Sequence, residues 1–200
     1  MIQNFQDIVK GNNLNFLVNE VWYIIDGDTM GLRPSKCYRT PHRAYTRVSR
    51  RKPRKSYIKG VPKPKITVFE LGTKGNYENS VYLTSDHDIQ IRHNSLEAAR
   101  VAAIRHLEKK LGTGFFFKVL VFPHHVLREN PLATGAGADR FQQGMRKSFG
   151  KPIGTAARVR TGQRLMVAYV NSQNVAEAKN AMKQATHKLP TTCKVVVEGK

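Results

Sequence analysis

Residues 89–112 read IQIRHNSLEAARVAAIRHLEKKLG, and this stretch passes from a strand pattern to a helix pattern. IQIRH at 89–93 alternates apolar and polar residues, which is typical of a half-buried strand. From 95 to 111 the apolar residues recur at helical spacing, which predicts a helix whose buried face is made by Leu96, Ala99, Ala103, Leu107 and Leu111. Asn94 is the predicted N-cap, with Glu97 in a capping box, and Gly112 is the predicted stop.

Further strands and a second helix flank this unit. ITVFEL at 66–71, FFFKVLVF at 115–122 and CKVVV at 193–197 are predicted strands, the second of them buried. AARVR at 156–160 and QRLMVAYV at 163–170 are predicted to pair as a hairpin around Thr161-Gly162; residues 165–170 are apolar on both faces, which indicates a central strand. A second helix is expected from Asn174 to Leu189, with Asn174 and Glu177 repeating the cap pattern before Pro190.

The order of these elements predicts the fold class. Strands that are partly connected by hairpins, together with two main helices, favour an α+β domain. We expect the helices to pack on one side of a mostly antiparallel sheet.

The charge of the chain is strongly positive and unevenly distributed. Lys and Arg number 34 against 14 Asp and Glu, for a net charge of +20, which indicates a polyanionic partner rather than a basic surface kept for solubility. Residues 31–65 hold thirteen Lys and Arg and no acid. Their five prolines exclude a long helix or a central strand, so we predict an extended arm whose cations reach phosphates and whose tyrosines, Tyr38, Tyr45 and Tyr57, stack on bases. A solvated tail or a localisation signal is the alternative.

A second basic stretch is glycine-rich. Residues 124–155 contain five glycines and no sustained periodicity apart from a short, weak helix pattern around 141–149. A connection of this length inside a compact domain is usually functional. We therefore expect the loop to reach away from the domain and to touch RNA through its cations, an uninteresting mobile loop being the alternative.

Motifs for other chemistry are weak or missing. Cys37 and Cys193 lack the spacing of a zinc site, and we interpret both as reduced thiols, with a single disulfide as the alternative. His124 and His125 are adjacent, so they point apart; one is expected inside and one facing RNA. No apolar run approaches the ~18 residues of a membrane helix and no signal-peptide pattern is visible, which favours the cytoplasm. We expect no cofactor, no metal and no catalytic residue.

Several long motifs together resemble one known family. They are GLRPSKCYR at 31–39, RKSYIKGVPKPKI at 54–66, QIRHNSLEAARVAA at 90–103, FPHHVLRENPLATGAGADRFQQGMRKSFGKPIGTAARV at 122–159 and ATHKLPTTCKVV at 185–196. The resemblance is to the universal large-subunit ribosomal protein called "ten-e" in archaea and eukaryotes and "sixteen" in bacteria, and it covers residues 30–200. Arg92-His93-Asn94 and residues 134–140 look more archaeal than eukaryotic.

The resemblance implies a fold, partners and a role. The fold is an α+β hammerhead-type two-layer sandwich, and the partners are 23S rRNA, 5S rRNA at the base of the central protuberance, tRNA and neighbouring ribosomal proteins. Residues 132–144 match the loop that points to the peptidyl-transferase centre, with Gly137, Asp139 and Arg140 at its tip. The role is structural and positional, and the chain is not an enzyme. A free chromosomal or assembly factor and an RNA-modifying enzyme are the alternatives from other classes.

Residues and resemblance together predict the interface. The rRNA-binding residues are expected to be Arg33, Lys36, Arg39, Arg43, Arg47, Arg50, Arg51, Lys52, Arg54, Lys55, Lys59, Arg92, His93, His124, His125 and Arg128. The tRNA-proximal loop is expected to use Gly135, Gly137, Asp139, Arg140, Arg146, Lys147 and Lys151.

Three segments follow from these observations. Residues 30–65 form the basic arm, and 66–200 form the α+β domain with a functional loop at 128–155. Residues 1–29 are acidic and match nothing in the family, whose members begin at the motif matched by 30–34. We expect a start codon assigned too far upstream, the alternative being a genuine extension that binds a basic or apolar partner.

Overall fold

The computed structural model describes residues 33–41, 58–132, 137, 140, 144–146 and 148–199. Contacts divide the chain after Pro34, and the architecture below is that of the unit Ser35–Lys200. The described helices are α1 (Lys36–Arg39), α2 (His93–Leu111) and α3 (Val175–Thr186), with a 3-10 turn at Ser172–Asn174 before α3. The described strands are β1 (Glu70–Gly72), β2 (Asn79–Ser85), β3 (Ile89–Arg92), β4 (Phe116–Val119), β5 (His125–Glu129), β6 (Lys151–Val159), β7 (Arg164–Val170) and β8 (Cys193–Gly199).

These strands form two sheets in which every described pair is antiparallel. One sheet has five strands in the order β1-β4-β7-β2-β8, and the other has three in the order β3-β6-β5. In the first, Phe117 lies opposite Ala168, and in the second, Ile91 lies opposite Ala157. The α+β class with antiparallel sheets and few helices is thereby confirmed. The helices, however, serve two sheets rather than one: α3 lies against β2, β7 and β8, while α2 packs along α3 and touches β3 and β6.

One apolar core joins the sheets and the helices. Alternate residues of the five-stranded sheet, including Leu83, Phe117 and Met166, are fully buried and belong to the same cluster as Leu107 of α2 and Met182 of α3. Each such side chain contributes about 1.5–3 kcal/mol by leaving water. The periodicity that predicted α2 is confirmed, since Leu96, Ala99, Ala103 and Leu107 are buried and Leu111 packs against the cluster.

The predicted hairpin at 156–170 is wrong. The turn at Thr161-Gly162 exists, with Gly162 at φ 77°, but β6 pairs with β3 and β5 whereas β7 pairs with β4 and β2. Bonds to the β2–β3 connection hold the turn: Gly162 N–H donates to Ser85 O at 2.8 Å, and Thr161 N–H to Asp88 Oδ1 at 2.7 Å. The chain therefore crosses from one sheet to the other at this turn. The central position predicted for residues 165–170 is confirmed, because β7 is the middle strand of five.

Two other strand predictions change in extent. The strand expected at 66–71 is reduced to Glu70–Gly72, which pairs with β4 at the edge of the sheet. The strand expected at 115–122 is confirmed at Phe116–Val119, but it is buried on one face only, since Leu120 and Phe122 beyond its end are exposed. Residues 79–85, for which no strand was predicted, form β2.

Neither predicted capping arrangement forms as expected. Asn94 lies inside α2, whose N-cap is Arg92, so that prediction is wrong in position. Asn174 does occupy the N-cap position of α3, as predicted, but neither helix is capped by a side-chain hydrogen bond. The two acids have found other partners, Glu97 pairing with Arg100 and Glu177 with His106 of α2. The predicted stop of α2 is confirmed: Gly112 has φ 59° and its N–H donates to Glu108 O at 3.0 Å. The second helix ends at Thr186 rather than Leu189.

The irregular stretch predicted at 124–155 is shorter than expected. Its two ends pair as β5 and β6, with Val126 opposite Thr155, so the connection between strands runs from 130 to 150. The loop limits of 128–155 are therefore corrected at both ends. The weak helix pattern at 141–149 lies mostly outside the described residues.

Candidate nucleic-acid interface

From Ser35 onward, the described parts of the basic arm lie on the domain with their cations outward. Ile58 is only 3 % exposed, Ile66 at the start of the domain is only 1 % exposed, and Tyr38 of α1 is half-buried against β3. The cations on the same segments are exposed: Lys36, Arg39, Lys59, Lys63 and Lys65. Arg33, which belongs to the other unit, is also exposed. The arm thus uses its few large apolar side chains to dock and leaves its positive charge for a partner. Arg43, Arg47, Arg50, Arg51, Lys52, Arg54 and Lys55 lie outside the described residues.

A buried glutamine links the arm to β3 and β5. Gln90 is 6 % exposed, and its Nε2–H donates to the backbone oxygen of Tyr38 at 3.0 Å. Its Oε1 lies 2.5 Å from Nδ1 of His125, which makes that nitrogen the donor. The guanidinium of Arg92 lies 5.6 Å from the centre of the Tyr38 ring, in cation–π range. Arg92 and His125, both predicted to bind rRNA, therefore also contact the arm or its support.

His93 holds the second arm segment where it enters the domain. Its Nδ1 accepts the backbone N–H of Lys65 at 2.7 Å, and the side chain is 9 % exposed. Gly154 packs so closely on the ring that a Cβ there would lie 3.0 Å from Nε2. Burial, with the positive charges of Lys65 and Arg92, holds the pKa of His93 below its ordinary value. The neutral ring is thus the form that fits, and this predicted rRNA-binding residue lies at the root of the arm.

The stability of the chain should fall on acidification through His93. Because the pKa of His93 is lowered in the folded state, the unfolded chain takes up the proton first as pH falls below about 6.5. Each tenfold difference in proton affinity corresponds to about 1.4 kcal/mol of stability lost. His93→Asn keeps an acceptor for Lys65 and cannot titrate. Urea unfolding at pH 7.5 and pH 5.0 should show a smaller acid loss in this variant, and equal losses would contradict the assignment.

The two adjacent histidines of 124–125 face opposite ways, as the sequence predicted. His124 is exposed, with its ring 4.5 Å from that of Phe122, whereas His125 is half-buried and contacts Gln90. His124 is thus available to a partner at the surface.

A clamp of Arg128 and Phe149 marks the root of the glycine-rich loop. Arg128 NH1 donates to Phe149 O at 2.9 Å, and its guanidinium lies 3.5 Å from the centre of the Phe149 ring. Gly150 follows at φ 76°, where a Cβ would lie 2.6 Å from Glu129 O. This close approach requires glycine, because both the backbone angle and the space exclude a side chain. Arg128, predicted to bind rRNA, therefore also fixes the point where the loop leaves β5.

Two glycine substitutions, one at the root and one within the loop, should distinguish the cost of a positive φ from the cost of a steric overlap. Gly150→Ala meets both a positive φ and a backbone oxygen, whereas Gly144→Ala meets a positive φ of 55° with nothing within 4 Å. We expect Gly144→Ala to cost about 1–2 kcal/mol and Gly150→Ala to cost clearly more, because the ends of β5 and β6 must separate. Chemical unfolding of both variants measures the difference. Equal losses of unfolding free energy would show that the close approach of Gly150 to Glu129 does not affect stability.

The loop carries exposed cations beyond this root. Arg140 and Arg146 are exposed, and Arg140 N–H donates to the backbone oxygen of Gly137 at 3.1 Å. Lys151, predicted as a loop residue, is exposed but lies at the start of β6, opposite Glu129. Gly137 has φ 79°. The other predicted loop residues, Gly135, Asp139 and Lys147, lie outside the described residues.

The outer face of α2 is less available than its charges suggest. The Arg100 guanidinium is bound by both carboxylate oxygens of Glu97, at 2.5 and 2.9 Å. Arg105 and Lys109 are exposed. Arg100 is therefore engaged by an acid of its own helix rather than presented to a partner.

The described residues can also be checked for metal ligands, membrane-spanning helices and reactive thiols. They contain no group of three or more His, Cys, Asp and Glu side chains placed to hold a metal ion. Among the described helices none is long and apolar enough to cross a membrane. Cys37 and Cys193 are both free thiols, and burial with the nearby Asp86 raises the pKa of Cys193 to about 11, which makes it unreactive.

Sequence reasoning missed part of this arrangement. Lys63 and Lys65 were counted among the arm cations but not singled out, although they are as exposed as Lys59. The role of Gln90 had no signal in the sequence, because a polar residue in a strand is ordinarily assigned to the solvent face.

The amino-acid sequence is similar to one family of known proteins. The model of the family described as ribosomal protein L16p/L10e matches residues 45–196. Large ribosomal subunit protein uL16 of Methanococcus aeolicus is 47% identical over 171 residues, covering 84% of this chain and 95% of that protein. The proteins of the same name from Staphylothermus marinus and Sulfolobus acidocaldarius are each 47% identical, over 169 and 175 residues, covering 84% and 85% of this chain and 94% and 96% of those proteins. These relatives are archaeal, as the motifs predicted.

Proposed function

The chain belongs to the ribosomal protein L16p/L10e family, and from that premise we propose that it binds 23S rRNA beside 5S rRNA and helps to position tRNA. Family membership makes it a structural component of the large ribosomal subunit in the cytoplasm, associated with rRNA and ribosomal proteins. The proposal adds which RNA it meets, with which surfaces, and to what effect. It includes no catalytic role for the protein.

The observation that carries the rRNA part is the orientation of the arm. On residues 58–65 Ile58 is buried in the domain, and on residues 35–41 Tyr38 is half-buried against β3, whereas the cations of both segments are exposed, in a chain of net charge +20. Because the backbone that carries these cations is already docked on the domain, part of the conformational entropy needed to order it is lost when the protein folds. Less entropy is then lost when the cations bind phosphates. We therefore assign residues 30–65 to rRNA binding, 66–200 to the domain that supports it, and 1–29 to an extension outside both.

The tRNA part rests on the second basic surface. The loop leaves the three-stranded sheet at the Arg128–Phe149 clamp, and its Arg140 and Arg146 are exposed, as is Lys151 at the start of β6. Positioning of a reacting end is an effective way to assist a reaction whose chemistry is done elsewhere. We assign the loop to the tRNA path near the A and P sites and the peptidyl-transferase centre, and place the domain at the base of the central protuberance.

Crosslinking within purified large subunits tests the proposal. Ultraviolet irradiation of subunits that carry a tagged chain should link the arm to 23S rRNA near its 5S neighbour, and the loop to tRNA in loaded ribosomes. Arm crosslinks confined to proteins would refute the rRNA assignment. Loop crosslinks that never include tRNA would refute the second assignment and leave the first intact.

A further inference from the structure

A pocket on the outer face of the five-stranded sheet differs in character from the basic surfaces. It has a volume of about 340 Å³ and is lined by Tyr77, Tyr82, Tyr169, Glu78 and Glu198, with small polar residues between them. The register places Tyr82 and Tyr169 on the face opposite the core, because their strand neighbours Val81 and Ala168 are fully buried. The pocket is therefore open to a partner rather than to the helices.

The charge of this pocket is negative in a chain that is strongly positive. Its charged lining residues, among those described, are Glu78 and Glu198. Glu78 accepts hydrogen bonds from both the backbone N–H and the hydroxyl of Ser172, and these bonds lower the pKa of its carboxyl. The carboxylate is consequently ionised at neutral pH. Such a wall repels phosphate and attracts a cation.

The wall already binds one guanidinium of the chain itself. Arg164 lies with its guanidinium 4.0 Å from the centre of the Tyr82 ring and with NH2 2.5 Å from Glu198 Oε1. A ring face combined with a carboxylate is the arrangement that holds a cationic side chain. Tyr77 offers a second ring, which is fixed by the bond from its hydroxyl to Thr73 O at 2.7 Å. The cavity beside Arg164 thus also combines a tyrosine ring with a carboxylate, those of Tyr77 and Glu78.

Other cations on the outer face of this sheet are paired as well. Lys118 and Lys74 both pair with Glu70 at 2.8 Å and lower the pKa of that carboxyl to about 2. Farther along the sheet, Lys194 pairs with Asp86 at 2.8 Å. The cations of this face are therefore engaged by acids, in contrast to the exposed cations of the arm. A surface built for RNA would leave them for phosphates.

We propose that this pocket docks a lysine or arginine side chain from a basic, extended segment of a neighbouring protein of the large subunit. The ring faces and the Glu78 carboxylate recognise the cation, because Glu198 is already paired with Arg164. The edge strand β8, which contributes Glu198 and Gly199 to the pocket, recognises the extended backbone. The inference goes beyond the proposed function, because it needs only residence in the large subunit and not the rRNA or tRNA assignments.

Photo-crosslinking in the assembled particle tests the partner class. Tyr77→p-benzoylphenylalanine places a reactive group at the pocket mouth, and the same substitution at Lys109 on the outer face of α2 serves as the matched control. Irradiated large subunits should yield a protein–protein crosslink from position 77 that maps to a Lys- or Arg-rich segment. A crosslink from position 77 to rRNA, or no crosslink, would overturn the proposal.

Binding to a defined probe tests the chemistry. The probe is an acetylated, amidated pentapeptide of alternating Arg and Gly, added to the purified full-length chain. Glu78→Gln should weaken its binding at least about tenfold, or ~1.4 kcal/mol, whereas Glu108→Gln, an exposed position outside the pocket, should not. Unfolding of both variants confirms that they fold. Equal weakening by both substitutions, or by neither, would overturn the assignment. So would a loss of self-association in the pocket variant alone, because the pocket would then bind a second copy of this chain.

Discussion

Replacing Lys36, Arg39, Lys59 and Lys63 by glutamine should lower the affinity for 23S rRNA fragments on the order of 10³-fold at 0.1 M salt. All four side chains are exposed on the docked arm segments. Each lost phosphate contact removes about 0.7–0.9 from the slope of log affinity against log salt, so the slope should decrease by roughly three to four. Filter binding of variant and wild type from 50 to 200 mM salt measures both quantities. Over this range the wild type should itself lose roughly 10³–10⁵ in affinity if the arm neutralises 6–10 phosphates.

A matched control distinguishes the arm from net charge. Lys74, Lys118, Arg164 and Lys194 are already paired with Glu70, Glu198 and Asp86, and their replacement by glutamine removes the same total charge. The salt slope of this control should stay close to the wild-type value. Equal loss of slope in both variants would mean that the long-range field of the chain, rather than the arm, drives binding.

Arg140→Ser should slow peptide-bond formation on assembled ribosomes while leaving the fold intact. Arg140 is exposed, and its described hydrogen bond is made by the backbone to Gly137, so the side chain can be removed without loss of packing. If the loop positions the tRNA acceptor end, a misplacement of about 1 Å can cost up to ~10²-fold in rate. Rapid-quench measurement of dipeptide formation detects this loss.

Arg105→Ser is the control for the loop variant. Arg105 is equally exposed but lies on the outer face of α2. Both variants should unfold at the same denaturant concentration as the wild type. A wild-type rate of dipeptide formation in Arg140→Ser would count against a functional tip, and an equal rate loss in Arg105→Ser would show a general defect of the particle.

The fold was predictable where its signal is local. The period of the apolar residues located α2 and its buried face, and the apolar run at 165–170 located the central strand. Gly112 marked the end of α2 because a positive φ there suits glycine. Each of these signals depends on residues within about one or two turns of the chain.

The predictions were wrong where a residue bonds to a partner other than the one that its local pattern indicated. The turn at Thr161-Gly162 looked like a hairpin, yet the bonds to Ser85 and Asp88 direct its two strands into different sheets. Glu97 and Glu177 looked like capping residues, yet Arg100 and His106 hold them. Local propensity cannot weigh a partner that is remote in sequence.

The candidate site divides in the same way. The cations of 31–65 and of the loop were readable directly, since a charge run without acids predicts a polyanion-binding segment. Gln90 and His93, which hold the arm, were not predictable as supports because their partners, Tyr38 and Lys65, are 52 and 28 residues away.

The amino-acid sequence by itself determined that the chain carries a folded α+β domain, a cationic arm and a cationic loop, because composition and periodicity are properties of neighbouring residues. Only the tertiary structure decided that the strands form two sheets, that Arg128 and Phe149 clamp the loop root, and that Glu78 and Glu198 meet three tyrosines in a pocket. These outcomes depend on contacts between distant segments, whose free energy is set by burial and partner geometry rather than by local preference.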